Sequence, residues 1–289
     1  MNPGLLGLIA ALCWGTGDFA ARFMTRAIGA AQTLMIISAV AAIGLAPVVM
    51  DRDLSPLWEP TTLTLTVLAG LSTAAGALLL YKSLERGPLG VVVPMTSSYP
   101  LPLVLVVMAL GELTLTLPLA AAMAATIGGV WVVARSGHQA TYNDDHAQGS
   151  IAHSMMLAGS AAVILAFAIL ITEAAVSRAG EVEVIWLTRL VELLVLAIAI
   201  TLRRQFRPIS KRMWALLIVM GVVDTIGFLA LFSAHGTGDT TIAAIASSAY
   251  GVVTVGLARL VLKEPVKPLQ WLGFAIVICG AASLTMLSS

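Results

Sequence analysis

Charged side chains that interrupt apolar segments are the residues of this sequence most suited to chemistry. Asp18 lies in the first hydrophobic run, LLGLIAALCWGTGDFAARF, and Arg189, Glu192 and Asp224 lie in two later runs. A carboxyl group removed from water can hold a proton or a cation, and an arginine can neutralise acids or bind a carboxylate. Because a charge at the centre of a lipid bilayer costs about 2.5–3.5 kcal/mol, these groups need partners or a wet cavity.

The spacing of the later charges predicts a network. Arg189 and Glu192 are at i,i+3 and therefore lie on one face of a helix. At 1.5 Å per residue, Arg189 is roughly 12 Å from one membrane face and Asp224 roughly 18 Å from the other. These depths nearly coincide in a core about 30 Å thick, so the two side chains can pair. The sequence leaves open whether the network binds a substrate or only supports the structure.

Asp18 has two interpretations. Arg22 follows one turn later, and an i,i+4 ion pair of this kind can extend toward the lipid headgroups. Alternatively, Asp18 faces a central cavity and exchanges a proton or contacts a substrate. Trp14 lies one turn before Asp18 and would then form an aromatic wall beside the acid.

The composition places these charges in a membrane protein. Of the 289 residues, 59% are hydrophobic and 11% are charged, with a mean hydropathy of +0.97. Soluble domains contain roughly 25% charged residues. The net charge of +1 gives no basic surface for nucleic acid, and Cys13 and Cys279 lie in apolar runs as expected of buried thiols. We predict no metal and no cofactor. The start, MNPG, lacks the positive region of a cleaved signal peptide, so we expect the first span to be retained.

Ten apolar runs are long enough to cross a bilayer, which takes about 20 residues. The sequence therefore predicts an all-α membrane protein with ten transmembrane helices. A polar linker at 135–150 separates a first half, 1–134, from a second half, 151–289, and we interpret Asp144 and Asp145 there as solvated residues. The predicted spans are 4–24, 30–50, 61–84, 88–110, 117–134, 151–175, 182–202, 212–235, 240–262 and 268–287.

The two halves resemble each other at a shift of about 151 residues. Five spans per half is an odd number, so the second copy enters the membrane upside down. Inverted repeats are typical of secondary transporters, whose substrate site lies near the midplane between the repeats. The landmarks are Gly29 and Gly180, Tyr81 and Phe232, Gly87 and Gly238, Tyr99 and Tyr250, and, with one residue of slip, Glu112 and Glu264, and Gly128 and Gly280.

Polar residues in the fourth and ninth spans mark further candidates. Pro94, Pro100 and Pro102 interrupt VVVPMTSSYPLP, and irregular backbone at membrane depth is tolerated where it is packed in protein or lines water. The counterpart IAAIASSAYGVVTVG has no proline, and its small residues suit close helix packing. Tyrosine hydroxyls need partners and are suited to a pore. We predict that the cavity-lining residues are Trp14, Tyr81, Ser98, Tyr99, Ser248 and Tyr250.

The basic residues predict an orientation. Thirteen of the sixteen Lys and Arg lie on the face that holds the loops after spans 1, 3, 5, 7 and 9. The positive-inside rule assigns this face to the cytoplasm and both termini to the outside. We expect a multi-pass protein of a bacterial inner (plasma) membrane.

Several motifs resemble the drug/metabolite transporter superfamily, most closely its EamA-type ten-span branch. They are WGTGDF near the start, LLLYKSLERGPLGVVVP at the end of the third span, GE after the fourth, and a ninth span SSAYGVVTVGLARLVLKEP that continues to QWLGFAIVICGA. The resemblance implies two inverted five-helix repeats in which spans 1, 3, 4, 6, 8 and 9 surround a cavity. Relatives export amino acids, other metabolites or toxic compounds, often against protons, and some have charges at the places of Asp18, Arg189 and Asp224. Many keep both termini in the cytoplasm and a basic loop after span 2, where this chain has the acidic DRDLSPLWEP.

We therefore predict a secondary active transporter, an exporter of small metabolites, amino acids or drugs. Asp18, Asp224, Arg189 and Glu192 are its proton- or substrate-binding candidates, and proton coupling is left open. The expected partners are a small-molecule substrate, protons and lipid, in a monomer or homodimer. A passive facilitator or channel is the alternative. An intramembrane enzyme is disfavoured because the chain has no GxSG motif and NDDHAQ is a poor metal motif.

Overall fold

The computed structural model describes residues 2–87, 89–111, 116–141, 148–237, 240–262 and 268–287, and these ranges are built of helices without a strand. Short 3₁₀ turns occur at Ser55–Trp58 and His235–Thr237. Asp144, Asp145, Glu112 and Glu264 lie outside the described residues, as does part of the predicted linker. The helices are α1 Pro3–Ile28, α2 Ala30–Met50, α3 Pro60–Arg86, α4 Leu89–Thr96, α5 Pro100–Ala109, α6 Leu117–Thr141, α7 Gln148–Ala179, α8 Glu181–Arg203, α9 Lys211–Ser233, α10 Thr240–Ser247, α11 Tyr250–Leu262 and α12 Pro268–Leu287.

Eight segments in the described part are long and apolar enough to cross a membrane. Two further apolar stretches, Leu117–Gly129 and Pro268–Gly280, are shorter and coincide with the predicted fifth and tenth spans. The all-helical prediction is therefore confirmed, with eight candidate membrane helices. These are Pro3–Ile28, Ala30–Met50, Pro60–Arg86, Leu89–Ala109, Ala152–Ala179, Glu181–Arg203, Lys211–Ser233 and Thr240–Val261.

Two glycines make the same sharp turn at corresponding places in the chain. Gly29, between α1 and α2, has φ +87°, and Gly180, between α7 and α8, has φ +86°. This left-handed region is costly for a residue with a Cβ. In each turn the glycine N–H bonds back to the preceding helix, to Thr25 O at 2.8 Å and to Val176 O at 2.9 Å. Glycine at both sites lets one helix follow another without an intervening loop.

Two of the membrane segments are broken near their middle. The first break separates α4 from α5, where Pro100 begins the second helix. The second separates α10 from α11 and has no proline, so the sequence did not predict it. Serine hydroxyls explain it: Ser247 Oγ donates to Ala244 O at 2.9 Å and Ser248 Oγ to Ile245 O at 2.7 Å. Such bonds offer the backbone carbonyls an alternative to the helical ladder.

The helices pack in pairs across the two halves. α3 lies against α7, α1 against α9, α2 against α8, and α6 against α12. Close approach requires glycine at several crossings: a Cβ on Gly70 of α3 would lie 2.7 Å from Val191 Cβ, and one on Gly221 of α9 would lie 2.6 Å from Val40 Cβ. The two crossings are equivalent under the shift of 151 residues, because Gly70 corresponds to Gly221 and Val191 corresponds to Val40.

The last crossing corrects the predicted register. Gly129 of α6 lies against Val277 of α12, and Gly280 of α12 lies against Thr126 of α6. The two contacts are again related by 151 residues, so Gly129, and not Gly128, matches Gly280. The predicted slip of one residue is wrong at this helix pair.

Candidate functional site

A cavity of about 90 Å³ lies among the helices that pack across the two halves. No lining residue lies on α6 or α12 in the described part of the chain, so those helices are peripheral to it. The cavity lining combines aromatic, apolar and charged groups. Its members are Trp14, Asp18, Leu34, Thr73, Ala77, Leu80, Tyr81, Tyr99, Leu165, Ala168, Ile169, Thr172, Arg189, Asp224, Phe228, Phe232 and Tyr250.

Arg189 is the centre of a buried charge network. Its guanidinium donates through Nη1 to Glu192 Oε2 at 2.6 Å and through Nη2 to Asp224 Oδ2. The Phe228 ring covers the guanidinium, with its centroid 4.2 Å from Cζ, which adds a cation–π contact. Arg189 and Asp224 line the cavity, whereas Glu192 is fully buried and is not among the lining residues. Glu192 therefore holds the arginine, and Asp224 presents the network to the cavity.

Asp18 lies in the cavity lining at only 7% exposure. In the described part of the chain it has neither a hydrogen-bond nor an ion-pair partner. The interpretation of Asp18 as a headgroup-facing ion pair therefore does not fit the structure. The cavity-facing interpretation fits it, because a buried carboxyl group without a partner is left free to meet a proton or a ligand.

Two tyrosines connect the broken segments to each other. Tyr99, at the first break, donates its hydroxyl to Ala244 O at 2.6 Å and contacts Ser247 Oγ, both in α10. Tyr250, at the second break, lies beside Thr96 at the end of α4. Both tyrosines also line the cavity. The breaks therefore place one tyrosine from each half at the cavity boundary, where each lies against the other half.

The remaining predicted lining residues divide into two groups. Trp14 and Tyr81 lie in the lining, and the Trp14 ring meets Phe228 edge-on with centroids 5.1 Å apart. Ser98 and Ser248 do not belong to the lining. Their hydroxyls bond back to the preceding helix, Ser98 to Met95 O at 2.6 Å and Ser248 to Ile245 O at 2.7 Å, because each lies in the turn just after that helix ends.

An apolar part of the lining was missed from the sequence. Ala77 of α3 and Leu165 and Ile169 of α7 line the cavity. Apolar residues in a membrane helix give no chemical signal, so nothing in their types pointed to a site. The internal shift of 151 residues does find them, because it relates Leu165 to Trp14 and Ile169 to Asp18.

The arrangement is suited to binding and proton exchange. The described residues include no group of three or more His, Cys, Asp or Glu placed to hold a metal ion. A bundle of apolar membrane helices around a cavity with charged side chains is typical of membrane transport proteins.

Comparisons with known proteins identify the family. The sequence matches the EamA-like transporter family twice, over residues 2–135 and 153–286. The chain therefore belongs to the EamA-like transporter family, which is part of the drug/metabolite transporter superfamily, and it is a multi-pass membrane protein. Its two family repeats correspond to its two halves.

The fold also has solved relatives. One solved structure, titled only "Crystal structure of protein", is similar over 99% of this chain and 97% of that chain. The two are 19% identical in sequence and superpose with a TM-score of 0.77, a likeness that concerns the fold alone. The search of curated proteins found no match.

Proposed function

We propose that the protein is a secondary active transporter, an exporter of small metabolites, amino acids or drugs. Its ten spans would form two inverted five-helix repeats, which rock about the cavity and open it to each side of the membrane in turn. The reciprocal helix crossings support this arrangement. Gly70 of the first half packs against Val191 of the second, and the corresponding Gly221 of the second half packs against Val40 of the first.

One observation carries the proposal: two acids of different environment line the same cavity. Asp224 is held by Arg189, whereas Asp18 has no partner in the described part of the chain. Coupled exchange requires both kinds of acid, one with a partner and one without. One site is free to accept a proton or a ligand, and the other changes its hold on a neighbour when it is protonated.

The mechanism follows from these contacts. A proton on Asp224 would remove the charge that faces Arg189 and loosen the link between α9 and α8. Arg189 would stay bound to Glu192, which lies in its own helix. Asp18 on α1 would bind the proton or the substrate on the other side of the cavity. Protonation at either acid would then change the helix contacts that close the cavity.

The test begins with a thermal-shift screen of purified protein against metabolites at two pH values. The stabilising solute is then supplied to proteoliposomes under a proton gradient. We expect uphill accumulation by the wild type and by Asp51→Asn, a variant in an exposed loop, and none by Asp224→Asn. Wild-type accumulation by a folded Asp224→Asn variant would end the coupling mechanism.

The same measurement separates a carrier from a passive facilitator or channel. A coupled carrier concentrates its substrate against a gradient, whereas a facilitator only equilibrates it. Equilibration without accumulation by the wild type would assign the protein to the facilitator class.

A further inference from the structure

Twelve of the seventeen cavity-lining residues form six pairs related by the internal shift of 151 residues, and in four of these pairs the two members differ sharply in chemistry. Trp14 pairs with Leu165, and Asp18 pairs with Ile169. On the other helices Asp224 pairs with Thr73, and Phe228 with Ala77. The two halves therefore built equivalent positions into the same cavity and filled them differently.

The charged groups all lie on one side of this division. Asp18 is on α1, Arg189 on α8 and Asp224 on α9, and we call these three residues the charged wall. The positions equivalent to Asp18 and Asp224 hold Ile169 on α7 and Thr73 on α3, whereas the position equivalent to Arg189 is Ser38 on α2, outside the lining. We call Ala77, Leu165, Ala168 and Ile169 the apolar wall. A ligand that fills the cavity meets charged groups from α1, α8 and α9 and apolar side chains from α3 and α7.

The charged wall is negative when Asp18 is ionised. Arg189 is already bound to Asp224 and Glu192 and covered by Phe228, so its positive charge is neutralised within the protein. Asp18 adds a carboxyl group that lacks a partner among the described residues. An anionic ligand would have to break the arginine pairs and would still face Asp18, whereas a cation would give the buried carboxylate the partner it lacks.

We propose that the cavity binds a small amphipathic organic cation in a single orientation, with its ammonium group at Asp18 and its hydrocarbon body against the apolar wall. This inference names the substrate class of the proposed transporter and rests on that function for its physiological meaning. The size follows from the cavity: about 90 Å³ is less than the ~150 Å³ cavity that holds benzene. The structure therefore fits a body of about four carbon atoms in this state.

The charge preference is tested with three probes that share a four-carbon body: n-butylammonium, 1-butanol and butanoate. Each is titrated calorimetrically into purified protein in matched detergent. We expect n-butylammonium to bind at least tenfold more tightly than either of the others. Equal affinity for the alcohol, or tighter binding of butanoate, would overturn the inference.

The apolar wall is tested by chain length. In the series from methylammonium to n-butylammonium, each added CH₂ that enters the cavity is expected to tighten binding about fourfold. Ile169→Asn should flatten this dependence while leaving methylammonium binding unchanged. Phe167→Ala is the matched control on α7, because Phe167 is 47% exposed on the outer surface and is absent from the cavity lining. A flat series in the wild type would contradict an apolar subsite.

Asp18 is tested with two variants. Asp18→Asn should lose the preference for n-butylammonium over 1-butanol, and Asp18→Glu, which keeps the charge, should retain it. Unchanged 1-butanol binding shows that the Asn variant is folded. If that variant does not fold, the inference is tested by whether Asp18→Glu and the wild type both prefer n-butylammonium to 1-butanol.

The inference and the proposed function fail separately. If the wild type concentrates an anionic or neutral solute and does not bind the ammonium series, the proposed transport function is supported and the cation site is contradicted. If n-butylammonium binds at Asp18 but no solute is ever concentrated, the cation site stands and secondary active transport falls.

Discussion

Arg189 is the most deeply buried charged side chain of the cavity lining, at 2% exposure, and its charge is compensated by two acids. A buried ion pair is weak evidence for stability, since desolvation offsets much of the attraction. Removing one member is different, because it leaves a charge without its partner among largely buried groups. The network is therefore best understood as a unit that is retained or lost together.

Arg189→Met should destabilise the protein by about 3–5 kcal/mol, because Glu192 and Asp224 would then be buried without their counter-charge. The triple variant Arg189→Met, Glu192→Gln, Asp224→Asn should recover most of that loss, although it cannot restore transport. Denaturation in SDS, followed by circular dichroism, measures both. A triple variant as unstable as the single one would show that packing around the arginine, and not its charge, matters.

At the scale of helices, glycine contacts set how closely the cavity walls approach. A Cβ on Gly227 of α9 would lie 2.8 Å from Trp14 Nε1, and one on Gly76 of α3 would lie 2.8 Å from Leu165 Cδ2. The two contacts are equivalent under the internal shift, and each supports a residue that lines the cavity. Gly44 of α2 differs, because an added Cβ there has nothing within 4 Å.

Gly227→Ala and Gly76→Ala should each cost about 1–3 kcal/mol of stability through overpacking. They should also weaken ligand binding, because Trp14 or Leu165 would be pushed into the cavity. Gly44→Ala should be neutral or stabilising by up to about 1 kcal/mol, since alanine is the better helix former. Unfolding and ligand titration of the three variants measure the effects. An equal response at all three sites would contradict the contact argument.

The ends of the α2–α8 pair carry two corresponding clamps. Gln32 follows the Gly29 turn and bonds both backbone groups of Arg207. Its Nε2 donates to Arg207 O and its Oε1 accepts from Arg207 N, each at 2.8 Å. Glu183 follows the Gly180 turn and bonds Arg52 at 3.1 Å. The first clamp joins a buried side-chain amide to the backbone, and the second is an ion pair whose arginine side chain is 44% exposed.

Gln32→Ala should leave the Arg207 backbone without partners, at a cost of about 1–3 kcal/mol, and should speed amide exchange in residues 205–210. Arg52→Ala should also cost about 1–3 kcal/mol, because the buried Glu183 carboxylate would lose its counter-charge, and it should speed amide exchange at the start of α8. Hydrogen–deuterium exchange by mass spectrometry resolves the two loops. Slow exchange at 205–210 in Gln32→Ala would mean that other contacts hold the loop.

Sequence reasoning predicted these helices better than it predicted their interruptions. Length and hydropathy located the segments, and i,i+3 spacing with helix depth correctly linked Arg189 to Glu192 and Asp224. The break before Tyr250 was missed because it arises from serine hydroxyls bonding to carbonyls and not from proline. Leu165 and Ile169 were missed because an apolar side chain that faces a cavity cannot be told from one that faces lipid by its type.

At the scale of the whole molecule, the internal shift of 151 residues connects fold and function. Equivalent residues from the two halves meet at the cavity, and equivalent glycines allow the helices to cross. The clamps make α2 and α8 antiparallel, because Arg52 beyond the end of α2 reaches Glu183 at the start of α8. This geometry places Asp51 and Gln205 at opposite ends of the α8 axis, about 30 Å apart at 1.5 Å per residue.

The orientation in the membrane is the last prediction. In a variant with Cys13→Ala and Cys279→Ala, single cysteines at Asp51 and Gln205 report on the two faces, since both positions are exposed. The surplus of Lys and Arg beside Gln205 assigns that loop to the cytoplasm. We expect an impermeant maleimide to label Asp51→Cys in intact spheroplasts, and Gln205→Cys only after permeabilisation. The reverse pattern would place both termini in the cytoplasm and leave the helix arrangement intact, whereas labelling of both positions from one side would contradict the antiparallel pairing of α2 and α8 across the membrane.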